Sequence, residues 1–290
     1  MKKVGVSILS YRNIKDTVEC VESFQALETK YDVKLVVVDN SDEPTFYQEL
    51  QEKLKDVKVF HQEENKGYAS GNNIGIQILL DHGCDYILVI NNDTIVDKNF
   101  LDILVDSYTD EDGLLAPMIY TYDTKEVWSS GGIYRKFYAN HAMTYHEYKD
   151  IKEQQFLSGC CFLVSKEHIL KVGLLDEDYF MYSEDADYSV RFLKNNLKLK
   201  VVPSAKIYHK ESKSSGKMSP FQIYYMFRGR LLFVHKNHRG LKKIWALLIN
   251  YAQIGLYFIK YLFKDSKKAK YFWFAFIDQR KKGKSIRSFK

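Results

Sequence analysis

Apolar positions in the first 95 residues fall into two alternating patterns. VGVSILS (4–10), VKLVVVDN (33–40), VKVF (57–60) and DYILVINND (85–93) are short, nearly continuous apolar runs. Runs of this kind suit strands covered on both faces. Between them, Ile14, Val18, Val21, Phe24 and Leu27 recur at helical spacing, and Pro44 stands near the start of a helix through Leu54. A Gly- and Asn-rich loop over 65–75 then leads into IQILLDHG. Strands alternating with helices predict parallel pairing through right-handed crossovers, an open α/β sheet. Ligands of such sheets bind beyond the carboxyl ends of the strands, where residues 7–11, 39–40 and 91–93 fall.

From about 112 to 165 the pattern turns strand-like, with Gly and aromatics in LLAPMIYTYD, VWSSGGIYRKFYA and QFLSGCCFLVS. A helix is expected from Ser183 to about Asn195, a strand over 197–202, a mobile Ser/Lys loop (KESKSSGKMS) after His209, and a helix over 220–237. Residues 1–237 thus read as one domain, with a nucleotide-binding half (1–95) and an acceptor and catalytic half (96–237). Residues 238–290 read as a basic helical tail.

Residues 244–263 of that tail are long and apolar enough to span a bilayer. Yet Lys243, Asn250, Gln253, Tyr257, Lys260, Lys264 and Lys267 form one polar stripe at helical spacing. The stripe favours a helix lying on a surface or packed on protein. YFWFAFI (271–277) follows, flanked by Lys267, Lys268 and Lys270 and by Arg280, Lys281, Lys282, Lys284 and Arg287. Aromatic surface bordered by cations suits an interfacial anchor on an anionic membrane. The alternative is a helix pair that closes a core or a homodimer.

Charge sharpens this division. The net charge of +6 averages two unlike parts: residues 206–290 carry 21 Lys and Arg against three Asp and Glu, a net of +18, which leaves −12 for residues 1–205. A basic, aromatic tail also suits nucleic acid, but the acidic remainder offers no second basic face. With 46% hydrophobic and 15% aromatic residues the chain buries a large core and is not disordered. The first apolar run is too short for a signal peptide. Cys20, Cys84, Cys160 and Cys161 have no zinc-like spacing and read as buried thiols in a reducing compartment.

Several segments carry candidate chemistry, each with a plainer reading beside it. Asp39 ends an apolar strand, where a carboxylate accepts hydrogen bonds from a ribose or base or simply forms a turn. NKGYASGNNIG (65–75) permits close backbone approach to a ligand, or is a Gly-rich cap. It lacks the Lys-Ser/Thr ending of a P-loop. Asp93 in NND suits Mg²⁺ or Mn²⁺ completed by phosphate and water, or a turn. SEDAD (183–187) supplies a cap and first-turn acids, or a general base beside an aromatic pocket. His209 is a lone histidine after a strand.

In order along the chain, SILSYRN, VVVDNSD, NKGYASGNNIG, LVINNDTIV, SGCCFLVSKEHILKVGLLDEDYFMYSEDADYSVRF and KIYHKES resemble the family 2 glycosyltransferases of the GT-A fold, in their bacterial rhamnosyltransferase-like branch. The resemblance covers roughly residues 3–235. It implies a GT-A type mixed sheet flanked by helices and an inverting enzyme. That enzyme would move a sugar from a nucleotide-diphosphate sugar to a hydroxyl of a glycan, in a lipid-linked or membrane-proximal setting on the inner face of the cell membrane. Ser7, Tyr11 and Asp39 would line the nucleotide pocket, Asn65, Gly67, Gly71 and Asn72 the loop near the donor, and Asn92 would stand beside them. Asp93 matches the last acid of the DxD metal motif, whose first acid is Asn91 here. His209 would complete a site for divalent Mn²⁺ or Mg²⁺. Asp185 matches the catalytic base, with Trp128, Tyr182 and Glu184 as candidate acceptor contacts. Two competitors are a sugar-nucleotide-forming nucleotidyltransferase, disfavoured because ILSYRN has no glycine, and a membrane-bound scaffold that keeps the fold without catalysis.

Overall fold

The alternating apolar runs become β1 (Lys3–Ser10), β2 (Asp32–Asp39), β3 (Lys58–His61) and β4 (Tyr86–Asn91), separated by helices α1 (Ile14–Gln25), α2 (Pro44–Lys53) and α3 (Tyr68–Asp81). The computed structural model describes residues 1–135, 140–211 and 219–283. β1 pairs in parallel with β2 and β4, and β2 with β3, as the crossover pattern requires.

The chain continues through β5 (Thr94–Val96), α4 (Phe100–Asp106), β6 (Asp112–Thr121), β7 (Val127–Ser129), β8 (Gly132–Arg135) and β9 (Asn140–Met143). Next come β10 (Lys152–Gln154), β11 (Cys161–Ser165), α5 (Lys166–Val172), α6 (Glu184–Lys194) and β12 (Lys198–His209). Among the described residues the main sheet runs β10-β12-β6-β11-β4-β1-β2-β3, with β5 on β12 and β7 on β6. β11 is antiparallel to β4 and β6, whereas β12 runs parallel to β6. The sheet is therefore mixed, and strands from both parts of the chain share it.

Alternate side chains of the central strands enter different cores. Val4, Val6, Ile8, Leu88 and Ile90 pack under α1, α2 and α4. Leu9, Val36, Val38, Ile87 and Val89 pack under α3, α5 and α6. Each such side chain contributes about 1.5–3 kcal/mol by leaving water, which is why these strands are apolar on both faces. All four cysteines are buried and free.

Three features differ from the sequence expectation. The 65–75 stretch is not all loop, because α3 already starts at Tyr68. The strand expected over 197–202 extends to His209 through a register shift between Val202 and Lys206. Helices α4 and α5 have only seven residues each, too short for a periodic signal. Most of the Ser/Lys loop after His209, together with Lys284 and Arg287, lies outside the described residues.

Helices α7 (Pro220–Asn237), α8 (Gly240–Lys264) and α9 (Ser266–Ile277) close the chain. α7 starts on a capping box between Ser219 and Gln222. The three helices share a third core, in which Ile223, Tyr224, Leu231, Ile254 and Phe272 pack with Phe180 from the loop before α6. The polar stripe on α8 is present, and only its first part turns inward: Asn250 is buried, Lys243 Nζ donates to the His235 carbonyl and Gln253 Oε1 accepts from Arg230. Further along, Tyr257 stacks on Phe272 at 5.5 Å but is exposed, as are Lys260 and Lys264. The apolar face is also exposed: Leu241, Ile244, Leu248, Ile259 and Phe263 are each more than half accessible.

Candidate active site

The end of β2 meets the loop that precedes α3. Asn40 Nδ2 donates to Asn65 Oδ1 at 3.0 Å and to the Gly67 carbonyl at 3.2 Å, while Gly67 N donates to Asn65 Oδ1 at 2.9 Å. This ties the loop to the end of β2. Gly67 has φ +98°, and a Cβ there would stand 2.1 Å from the Phe180 carbonyl oxygen. Only glycine meets both demands. The Tyr68 N–H donates to that same carbonyl at 2.8 Å.

The loop before α6 is held from a second point on α3. Asn73 accepts from Leu175 N at 3.0 Å and donates to the Leu175 carbonyl and to Glu177 Oε1, both at 2.9 Å. Tyr182 and Ser183 then adopt consecutive left-handed conformations, φ +66° and +74°, the kind of strain that persists only where surrounding packing enforces it. Gly229 on α7 allows this turn to dock, since a Cβ there would lie 2.6 Å from the Tyr182 carbonyl oxygen.

Asp185 sits in the first turn of α6 beyond that turn. Its Oδ2 accepts from Gly159 N at 3.1 Å and its Oδ1 from Ala186 N at 2.8 Å. Tyr68 Oη donates to the Gly159 carbonyl at 2.6 Å. The start of α3 and the candidate base are thus linked through one residue, Gly159. Burial pushes the Asp185 carboxyl up, and the two N–H bonds oppose the shift. Glu184 beside it is buried, its Oε2 has no hydrogen-bond partner, and burial followed by the Asp185 charge pushes it well above the usual range.

At the end of β12, His209 Nε2 lies 3.1 Å from Asp93 Oδ1, and both residues are buried. Adjacent ligands of an octahedral cation with bonds of about 2.1 Å stand about 3 Å apart, so the pair fits one hard cation. Among the described residues no group of three His, Cys, Asp or Glu side chains is placed to hold a metal. Substrate phosphate and water would supply the remaining ligands. Lys210 bridges Asp16 and Glu19, which fixes the end of β12 to α1.

Several expected contacts are relocated. Ser7 is fully buried beneath Gly75, where a Cβ would meet its Oγ at 2.1 Å, so it belongs to the strand–helix contact and not to a pocket. Gly71 likewise lets α3 approach Leu9, and Asn72 is buried with Nδ2 on the Tyr68 carbonyl. Asp39 is buried, with Oδ1 accepting from Ser41 N and Oδ2 2.9 Å from His61 Nδ1, so it orders those groups and presents no open carboxylate. Asn92 Nδ2 donates to Thr17 Oγ1, anchoring its turn to α1. Glu184 is too buried to meet an acceptor at a surface. Trp128 packs edge-on to His209 at 4.4 Å and donates to Glu211, so it flanks the Asp93 pair and not the cavity at Asp185. Tyr11 is exposed at the end of β1, and Tyr182 lines the Asp185 cavity.

The mixed sheet flanked by helices, with a buried Asp–His pair at one strand end and an amide-held carboxylate bordering a cavity, has the GT-A architecture. The sequence matches Glycosyl transferase family 2 over residues 6–173, and the chain belongs to that family. α6 and β12, with Asp185 and His209, lie beyond the matched span. The dTDP-rhamnosyl transferase RfbF of Shigella flexneri is 27% identical over 221 residues, 70% of this chain and 71% of that protein. An N-acetylglucosaminyl-diphospho-decaprenol L-rhamnosyltransferase of Mycobacterium tuberculosis is 25% identical, covering 74% and 78% respectively. The low-salt glycan biosynthesis hexosyltransferase Agl10 of Haloferax volcanii is 24% identical, covering 79% and 74%. In fold, the chain superposes on a crystal structure of GalNAc-T7 with UDP, GalNAc and Mn2+ with a TM-score of 0.65 at 18% identity. That match covers 81% of this chain and 48% of that one. The protein is a glycosyltransferase, and the nucleotidyltransferase alternative falls.

Proposed function

We propose that the protein transfers a hexosyl or deoxyhexosyl residue, rhamnose being the first candidate, from a nucleotide-diphosphate sugar to a hydroxyl of a lipid-linked glycan, with inversion at the anomeric carbon. The observation that carries this reading is the Asp185 carboxylate, aimed by the Gly159 and Ala186 N–H groups and bordering a cavity of about 410 Å³. Asp185 takes the proton of the acceptor hydroxyl as its oxygen bonds to the anomeric carbon. The bond from that carbon to the donor diphosphate breaks, and its electron pair leaves with the nucleoside diphosphate. Asp93 and His209 would hold a divalent cation, which when bound offsets charge on the departing diphosphate. Asn65, Gly67 and Tyr68 keep the donor-side loop fixed relative to Asp185, and such positioning supplies much of the rate. The relatives named for dTDP-rhamnose and for a decaprenol-linked sugar support the donor and acceptor classes.

We further propose that the exposed face of α8 rests on the inner surface of an anionic membrane. Trp245 and Trp273 are each about half exposed and suit the interfacial region. α8 is also long and apolar enough to cross a bilayer, but Lys243, Asn250 and Gln253 pack on protein while Lys260 and Lys264 are exposed beside the apolar face, which favours lying on the surface. The competing use of this face is a homodimer.

The test is a thermal-shift panel of nucleotide sugars with Mg²⁺ or Mn²⁺, followed by transfer to polyprenyl-diphosphate-linked sugars. One donor should stabilise the protein by mass action and yield an inverted glycoside. Donor binding with no transfer to any acceptor would support the inactive-scaffold alternative.

A further inference from the structure

The cavity at Asp185 has a basic wall that the proton transfer does not use. Besides Asp185 and Tyr182, it is lined by Arg135 and Asn140 of the β8–β9 hairpin and by Met226 and Arg230 of α7. One guanidinium nitrogen of Arg230 donates to Gln253 Oε1 at 2.7 Å, a neutral amide, and its Nε is buried with no hydrogen-bond partner. Burial, and then the charge of Arg135, push the Arg230 guanidinium down to about 10. A buried guanidinium with an unpartnered Nε beside a second positive charge is costly until an anion arrives. The oxygens of Asp185 are held by two backbone N–H groups. A guanidinium fork matches phosphate geometry and binds it with charge-assisted hydrogen bonds.

A second, larger cavity of about 800 Å³ shares His141 and Phe233 with the first. Its other walls include Val190, Leu193 and Trp245 beside the polar Gln155, Asn237, His238 and Lys242, so it adjoins the first cavity and reaches α8. The carboxylate, the arginines and a largely apolar cavity thus adjoin one another.

We propose that Arg230 and Arg135 form an anion subsite for the phosphate of the acceptor, so that the chain recognises a sugar carried on a lipid phosphate or diphosphate. This rests on the reading of Asp185 as the base facing the acceptor. The acceptor hydroxyl meets Asp185 while the phosphate meets Arg230, and the first isoprene-like units of the lipid lie in the larger cavity beside Trp245. An uncharged glycoside of the same sugar fills only the first of these places.

The test is calorimetric binding of farnesyl diphosphate to the full chain in EDTA, with no donor present. The Arg230→Gln variant should bind at least tenfold more weakly, Arg230→Lys should recover part of the loss, and Asp93→Ala should change binding less than threefold. Farnesol and short-chain phosphatidic acid should bind at least tenfold more weakly than farnesyl diphosphate. Unchanged binding by Arg230→Gln, or a larger loss in Asp93→Ala, overturns the subsite. Equal binding of phosphatidic acid overturns its assignment to the acceptor and points to a membrane headgroup. Should Arg230→Gln not fold, as judged by circular dichroism, Arg135→Gln on the exposed hairpin must lose at least threefold, and no loss overturns the proposal. Neither donor nor turnover enters the measurement, so failure of the catalytic reading would appear as absent transfer with farnesyl diphosphate binding intact.

Discussion

The Gly159 N–H donates to Asp185 Oδ2 at 3.1 Å, so a peptide just before β11 aims a carboxylate on α6. Beside it, Glu184 has only its own backbone N–H to oppose burial, and its Oε2 has no hydrogen-bond partner. The two neighbours therefore differ in how well burial is offset: the carboxylate of Asp185 is stabilised by hydrogen bonds, whereas Glu184 is held toward its neutral form.

This difference has a consequence for stability against pH. The Glu184 pKa is raised in the folded chain, so between its unfolded value of about 4.3 and its folded value the native state holds more protons. Stability must then fall as pH rises through that window. Asp185, raised for the same cause, adds to the slope with the same sign. Glu184→Gln should flatten the slope and raise the melting temperature at neutral pH more than at pH 5. Melting curves that stay parallel to wild type across pH would refute the neutral-acid assignment.

The Asp93–His209 pair predicts where metal dependence resides. Asp93→Ala and His209→Ala should each remove the gain in donor affinity produced by Mn²⁺ or Mg²⁺, leaving a weak metal-independent binding. Calorimetric titration of the donor with and without EDTA measures this. A variant that still gains affinity from the metal would place the cation elsewhere.

Gly67 joins a left-handed backbone to a contact with the Phe180 carbonyl. Gly67→Ala should destabilise the fold by about 2–4 kcal/mol, lowering the melting temperature by roughly 5–10 °C, and should weaken donor binding because the loop must shift. Gly83→Ala supplies the contrast: it also has positive φ, but a Cβ there meets nothing within 4 Å. Equal losses at the two positions would show that backbone strain alone, and not the Phe180 contact, sets the cost.

Exposed Leu248 and Phe263 put the membrane proposal at risk without disturbing the inner face of α8. Leu248→Glu combined with Phe263→Glu should release the protein from vesicles containing phosphatidylglycerol and leave its melting temperature nearly unchanged. Wild-type binding should weaken with salt, as expected for attraction of basic residues to an anionic surface. If the wild-type chain sediments as a dimer that the double variant dissociates, while neither binds vesicles, the face is an interface between copies.

Much of this fold was legible because burial on two faces writes itself into composition: β1, β2 and β4 appear as apolar runs, and polar residues mark their ends. The position of Asp93, Asp185 and His209 near strand or helix ends was legible for the same reason. The direction of the α8 stripe was not, since periodicity is identical whichever face turns inward. Nor could local pattern show that Gly67 serves the Phe180 carbonyl, that Asn73 and not Asn72 holds the loop before α6, or that His61 engages Asp39. These are contacts between segments far apart in sequence. Arg230 gave no signal, because one arginine on an aromatic helix reads as an ordinary surface charge until the cavity is seen.

If Asp185 takes the acceptor proton, Asp185→Asn keeps the size and one oxygen of the side chain but loses the base. With the donor and acceptor identified by the panel above, kcat for sugar transfer should fall by at least a thousandfold while the donor Kd stays within about threefold of wild type. In the wild type, kcat/KM should fall on acidification with a limb above the ordinary carboxylate range, the direction of the Asp185 shift. Transfer by Asp185→Asn within tenfold of the wild-type rate would contradict the account.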